Sequence, residues 1–134
     1  MSAGDGSVAP EEHVCHHLLN TTEFIAIVTN GEDEPHVVGT WGEYARRLNS
    51  SATTIVVPAG GYHQTEKNLA KDDRIKLLIA SREVQGSSGP GQACEIVGTA
   101  ELLTEGSTAE AAKRCFPWAR GALVISVEGI SLQL

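Results

Sequence analysis

The segment at residues 23–41, EFIAIVTNGEDEPHVVGTW, constrains the fold more than any other stretch of the chain. Phe24-Ile25-Ala26-Ile27-Val28 is a strand-forming run, and His36-Val37-Val38-Gly39-Thr40-Trp41 is another. Only a few residues separate them. A parallel return needs a crossover of about a dozen residues or more, so these two strands must pair antiparallel. Asn30-Gly31, at the head of the turn Asn30–Asp33, is the strongest two-residue hairpin signal in the chain.

The rest of the sequence has the same texture. Thr53–Pro58, Arg74–Ser81, Glu95–Leu103 and Ala122–Val127 read as strands, and the closing ISLQL reads as a short one. A helix is expected from Pro10, with Glu11 and Glu12 in its first turn and Val14, Cys15, Leu18 and Leu19 on its apolar face. Gly42–Leu48 and Thr65–Asp72 read as short helices. Ser107–Arg114 reads as another, with Ser107 as N-cap and Glu110 at the capping-box position. Residues 85–92, QGSSGPGQ, read as an exposed loop. There is no β-α-β rhythm and no G-x-G-x-x-G. The expected fold is mainly β, a six-stranded antiparallel barrel with peripheral helices. One domain over residues 10–134 is expected, after a flexible tail at residues 1–9.

Charge and composition narrow the partners. The net charge of −7, with ten scattered basic residues of which only Arg46 and Arg47 adjoin, argues against nucleic acid. No apolar run reaches the roughly 18 residues a membrane helix needs. The start, MSAGDGSVAPEEH, lacks the basic and apolar regions of a signal peptide. Cys15, Cys94 and Cys115 are too few and too irregular for a disulfide framework, so a cytoplasmic protein with reduced thiols is expected.

Candidate chemistry concentrates in VVPAGGYHQTEKN, residues 56–68. Strand, Gly60-Gly61 turn and helix start form a layout that presents backbone N–H groups to an anion, with the Thr65 hydroxyl adding a donor. The same residues also make a plain strand-to-helix turn. His63 could bond a ligand or cap that turn. Trp41, Tyr44, Tyr62 and Trp118 stand near predicted strand ends, where they could stack on a planar ring or simply pack. His13 and His17 share a helix face, but the ligand set of a zinc site is incomplete, and no metal is expected. No Ser or Cys has an activating motif, so no catalytic residue is assigned. Arg114 and Arg120 flank Trp118 and are expected to pair with acids.

The order of the blocks IAIVTNGEDEPHVVGTWGEY, TIVVPAGGYHQTEKNLAKDDRIKLLIASREVQGSSGPGQACEIVGTAEL and WARGALVISV resembles the small FMN-binding proteins of the FMN-binding split-barrel group, which includes pyridoxamine 5′-phosphate oxidases. The likeness covers residues 22–134. It implies a six-stranded split barrel that forms a homodimer, with FMN near the interface. Gly39, Thr40 and Trp41 would lie along the flavin. Residues 60–65, including Gly60, Gly61, His63, Gln64 and Thr65, would wrap the phosphate and ribityl chain. Trp41, Tyr44 and Trp118 match aromatic positions around the isoalloxazine ring, and Leu134 matches a leucine that covers the flavin from the partner subunit. Two positions depart from the relatives. Gln64 stands where they carry a lysine that neutralises the phosphate, with Lys67, Lys71 or Arg74 as candidate substitutes. Gly39 stands where a relative has a polar side chain.

The resemblance implies a flavoprotein that exchanges electrons with an unidentified redox partner. The acidic net charge is expected to lower the flavin potential. Two alternatives stay open: a binding module holding another flavin or haem, and an oxidoreductase acting as pyridoxamine phosphate oxidases do.

Overall fold

The computed structural model describes residues 10–134; the expected tail, residues 1–9, lies outside them. Six strands form one sheet: β1 (Phe24–Asn30), β2 (Pro35–Trp41), β3 (Thr54–Ala59), β4 (Arg74–Gly86), β5 (Gly89–Leu103) and β6 (Gly121–Leu132). Their order is β2-β1-β4-β5-β6-β3, and every ladder is antiparallel. The sheet curls into a half-barrel with β2 and β3 as its two edges. This is the expected split barrel. Four helices accompany it: α1 (Pro10–Thr21), α2 (Gly42–Arg47), α3 (His63–Lys71) and α4 (Ser107–Cys115).

The barrel interior follows from period-two alternation. Ile25 and Ile27 of β1, Ile75, Leu77 and Ile79 of β4, Ile96 of β5, and Leu123 and Ile125 of β6 all point inward and are buried. Ile55 and Val57 of β3 complete the layer. Cys15, Leu18 and Leu19 of α1 close one end as one apolar stripe, as the helical spacing predicts. Burying a leucine such as Leu18 completely contributes about 1.5–3 kcal/mol. The Cys15 thiol is held well above its ordinary value by its bond with Cys94 and by burial.

Arg46 joins α1 to the edge of the sheet. Its guanidinium donates to the carbonyls of Leu19 and Thr22, at 3.1 and 2.8 Å, capping the open end of α1. Gly42 donates its N–H to Glu23 (2.8 Å), so α2 starts directly against the chain entering β1. α2 then packs on both β2 and β3 and spans the split between the two edges.

Four local expectations need correction. Residues 85–92 are not a loop: β4 and β5 run on through them, and only Ser87 and Ser88 turn the chain. Beyond a register shift between Ser81 and Gln85, Gln85 pairs with Pro90 and Gly86 with Gly89, so pairing outweighs the turn-forming composition. The turn expected over Asn30–Asp33 lies one residue further on. Asn30 pairs with Pro35 across residues 31–34, and the Gly31 N–H reaches the Glu34 carbonyl at 3.1 Å. Ser107 is the first helical residue of α4 rather than its cap, a position taken by Gly106 at φ 97°. The closing ISLQL is not a separate strand: Ile130–Leu132 prolong β6, beyond a register shift at Val97–Gly98 of β5.

Candidate functional site

A cleft of about 370 Å³ opens where the barrel is split. Its walls come from both edges, so the fold itself brings together residues far apart in sequence. From β2 come Gly39, Thr40 and Trp41; from α2 comes Tyr44; from the end of β3 come Gly60 and Gly61, and Trp118 closes the far side. Phe24 and Trp41 form one aromatic lip, edge to face at 5.7 Å and 76°. Tyr44, Phe116 and Trp118 form the other, with ring centroids 4.8–5.6 Å apart. Arg47 lies over the Phe116 ring at 4.4 Å. Trp41 and Trp118 are 51% and 54% exposed, an unusual state for two tryptophans flanking one cleft. Two glycines make this closeness possible. A side chain at Gly39 would overlap the Phe24 ring, and a Cβ at Gly60 would stand 2.9 Å from Trp118. Any side chain at residue 39 would therefore require the half-exposed Phe24 ring to move.

The turn after β3 is held by two side chains, Tyr62 and Arg120. Tyr62, between Gly61 and α3, adopts the left-handed conformation at φ 65°, which costs a non-glycine residue about 1–3 kcal/mol. Its phenol donates to the Gly39 carbonyl at 2.7 Å, tying the turn to the free edge of β2. Burial raises the Tyr62 pKa, and a bond with the Thr40 side chain partly offsets that rise. Arg120, beside Trp118, donates from Nε and Nη2 to the Gly61 carbonyl at 3.1 and 2.8 Å. Its Nη2 also reaches Glu66 at 3.1 Å, the pairing with an acid expected for this residue. Within α3, His63 and Gln64 are exposed and Thr65 is fully buried. Among the described residues the Thr65 Oγ1 has no hydrogen-bond partner, an orphan oxygen in the first turn of the helix. Gln64, exposed on the hairpin groove rather than in the cleft, donates to Asn68 Oδ1 (2.9 Å), and Asn68 donates to Thr29 Oγ1 (3.0 Å).

The family model for pyridoxamine 5′-phosphate oxidase matches residues 12–131, nearly the whole described chain. The chain belongs to the pyridoxamine 5′-phosphate oxidase family. Within it, the chain is 46% identical over 110 residues to a protein named FMN-binding protein from Nitratidesulfovibrio vulgaris (strain DSM 19637 / Miyazaki F), covering 82% of this chain and 88% of that one. Solved structures share the fold at lower identity. HupZ of Group A Streptococcus superposes with a TM-score of 0.71 at 22% identity, over 94% of each chain. An FMN-binding protein from Syntrophomonas wolfei gives 0.60 at 14% identity, over 92% of this chain and 86% of that one.

Tyr62 and Arg120 are both singled out in the sequence, but the contacts by which they hold the turn beside this family member's cleft are not. Tyr62 stands inside the quoted turn, yet nothing in its neighbours signals the bond to Gly39. Arg120 is 59 residues from the carbonyl it holds, and its one sequence cue is adjacency to Trp118. Leu134 lies apart from the cleft of its own chain. Its N–H and carbonyl bond the side-chain amide of buried Gln92 at 2.7 and 2.8 Å, and its side chain is 61% exposed. A wider groove of about 940 Å³ lies between the hairpin loop and the outer face of α3. Glu32, Asp33 and Glu34 face Lys67 and Lys71 there, and no Trp, Tyr or Phe lines it. His13 and His17 are both exposed on α1. Among the described residues, no helix is long and apolar enough to cross a membrane.

Proposed function

We propose that this chain is an FMN-binding flavoprotein, a single domain over residues 10–134 that carries electrons in the cytoplasm. One observation carries the reading. Two half-exposed tryptophans face one cleft beside a glycine turn and a helix start, in a chain 46% identical to a protein named for FMN. The residues fit the cofactor. A planar ring system finds aromatic partners in Trp41, Tyr44 and Trp118. A phosphate finds the first-turn N–H groups of α3, unpaired in any helix, and the orphan Thr65 hydroxyl as a donor. Gly60 and Gly61 let backbone approach closely, and His63 and Gln64 flank that approach.

The bound flavin would supply the electron chemistry. The chain's own residues bind and orient: the aromatic lips cover the ring, Thr40 and Tyr62 fix the β2 edge, and the turn holds the phosphate. No side chain is assigned a role as acid, base or nucleophile. The partner in electron exchange is another protein, of unknown identity.

A second copy of the chain would complete the site. Val37, Leu78, Phe24 and Trp41 are 62%, 44%, 49% and 51% exposed on the outer face of β2, β1 and β4. Register sets them side by side, with Val28 opposite Val37, Ala26 opposite both Gly39 and Leu78, and Phe24 opposite Trp41. This apolar strip runs into the cleft lip, and burying it in a homodimer would bring the partner's copy of Leu134 towards the flavin.

The test is a visible spectrum of purified protein with and without added FMN, paired with light scattering. Bound flavin and a dimer are expected. A colourless protein that takes up no FMN at micromolar concentration overturns the reading; a Soret band would point to haem instead. A monomer that still binds FMN removes the dimer alone.

A further inference from the structure

The flavin reading leaves an electrostatic gap. A phosphate dianion needs a cation nearby, and residue 64 is a neutral glutamine, one of whose N–H groups donates to Asn68. The cations close by in sequence do not fill the gap. Lys71 sits 3.6 Å from Glu32 at the far end of α3, and Arg74 pairs with Glu128. Lys67 is exposed and lines the hairpin groove, as Gln64 itself does, and neither lines the aromatic cleft.

We propose that Arg120 is the cation of this turn and the residue that lets the cleft favour a phosphorylated flavin over an unphosphorylated one, an inference that rests on the flavin reading above. Its backbone N–H donates to the Ala59 carbonyl at 2.8 Å, so the guanidinium starts from a fixed point on the end of β3. The side chain is only 26% exposed, and two of its nitrogens converge on the Gly61 carbonyl. That contact does two things. It neutralises a carbonyl oxygen whose negative end would otherwise repel an anion at the turn. It also sets the peptide plane: in a trans peptide the Tyr62 N–H points opposite to the Gly61 carbonyl, away from the guanidinium. With Tyr62 itself anchored on Gly39, the turn keeps its shape before any ligand arrives, which reduces the ordering that binding must impose. The orphan Thr65 hydroxyl, three residues beyond Tyr62, is an independent sign that this turn awaits an acceptor.

Glu66 gives the inference a second handle. It shares the Arg120 guanidinium at 3.1 Å and draws off part of its charge. Removing the acid while keeping an oxygen acceptor, as Glu66→Gln does, leaves Arg120 in place with more charge to offer.

The experiment measures dissociation constants for FMN and for riboflavin, which differ by the phosphate alone, at low and high salt. It uses the wild-type chain, Arg120→Gln, Arg120→Lys and Glu66→Gln, with circular dichroism to confirm folding. Arg120→Gln is expected to weaken FMN roughly tenfold or more while leaving riboflavin nearly unchanged, because only the phosphate loses a charged partner. Arg120→Lys keeps the charge without the fork and falls between. Glu66→Gln tightens FMN, and the salt dependence of FMN binding shrinks when Arg120 is lost. If Arg120→Gln does not fold, the opposite signs expected for Arg120→Lys and Glu66→Gln carry the test. A wild-type chain that prefers FMN, with a preference none of these changes moves, overturns this inference alone. A wild-type chain that takes up neither flavin overturns the flavin reading and this inference with it.

Discussion

Two pieces of backbone leave the sheet and are caught by side chains from far away, but they are caught differently. The Gly60–Thr65 turn is held by a charged fork, Arg120, and by a phenol, Tyr62, and it faces the cleft of its own chain. Leu134 is held by the neutral amide of Gln92, which bonds its N–H and carbonyl as a strand partner would, and it lies outside that cleft. The first latch shapes a site within one chain. The second offers an apolar side chain to something outside it. The contrast separates what one chain does alone from what needs a second copy.

Breaking the second latch has the larger expected effect on stability. Gln92→Leu removes two bonds to Leu134 and one to the Ala93 N–H at 2.9 Å, leaving backbone groups with lost partners beside a buried position. A loss of about 1–3 kcal/mol is expected in urea unfolding. If Leu134 acts across a dimer, flavin affinity falls as well, although Gln92 is not part of the cleft. Unchanged affinity in a destabilised variant would confine this latch to structure.

Thr65→Val probes the first latch with opposite signs. The buried Oγ1 has no partner, so replacing it with a methyl of similar shape should raise the stability of the ligand-free chain by about 1 kcal/mol. The same change should weaken FMN binding, because a donor to the phosphate is lost. A variant that loses both stability and affinity would mean that Thr65 packs rather than binds.

The two latches also differ in how far a sequence discloses them. Alternation made the strands readable, and the antiparallel barrel followed from short connections. Cleft residues such as Trp41, Tyr44, Gly60 and Trp118 were readable because a resemblance supplied their order. Arg120 and Gln92 were not. Each acts on a carbonyl or amide 59 or 42 residues away, and only the curl of the sheet brings them there. Periodicity reports which face a side chain takes, not which distant backbone group it meets. The hairpin tip failed for a related reason: QGSSGPGQ has the composition of a loop, yet its partner strand supplies the ladder that keeps it extended.

The smallest expected effect separates the two holds on the turn. Tyr62→Phe keeps the ring and removes the bond to the Gly39 carbonyl, for a loss of about 1 kcal/mol. Its pH dependence identifies it. Burial raises the folded-state pKa of Tyr62, so its contribution is full below the ordinary phenol value of about 10 and is lost as pH rises through the folded value. The wild-type chain should therefore lose stability over that alkaline window, and Tyr62→Phe should lose less. A decline of equal depth in both proteins would show that Tyr62 does not share the work with Arg120, and that the guanidinium alone holds the turn.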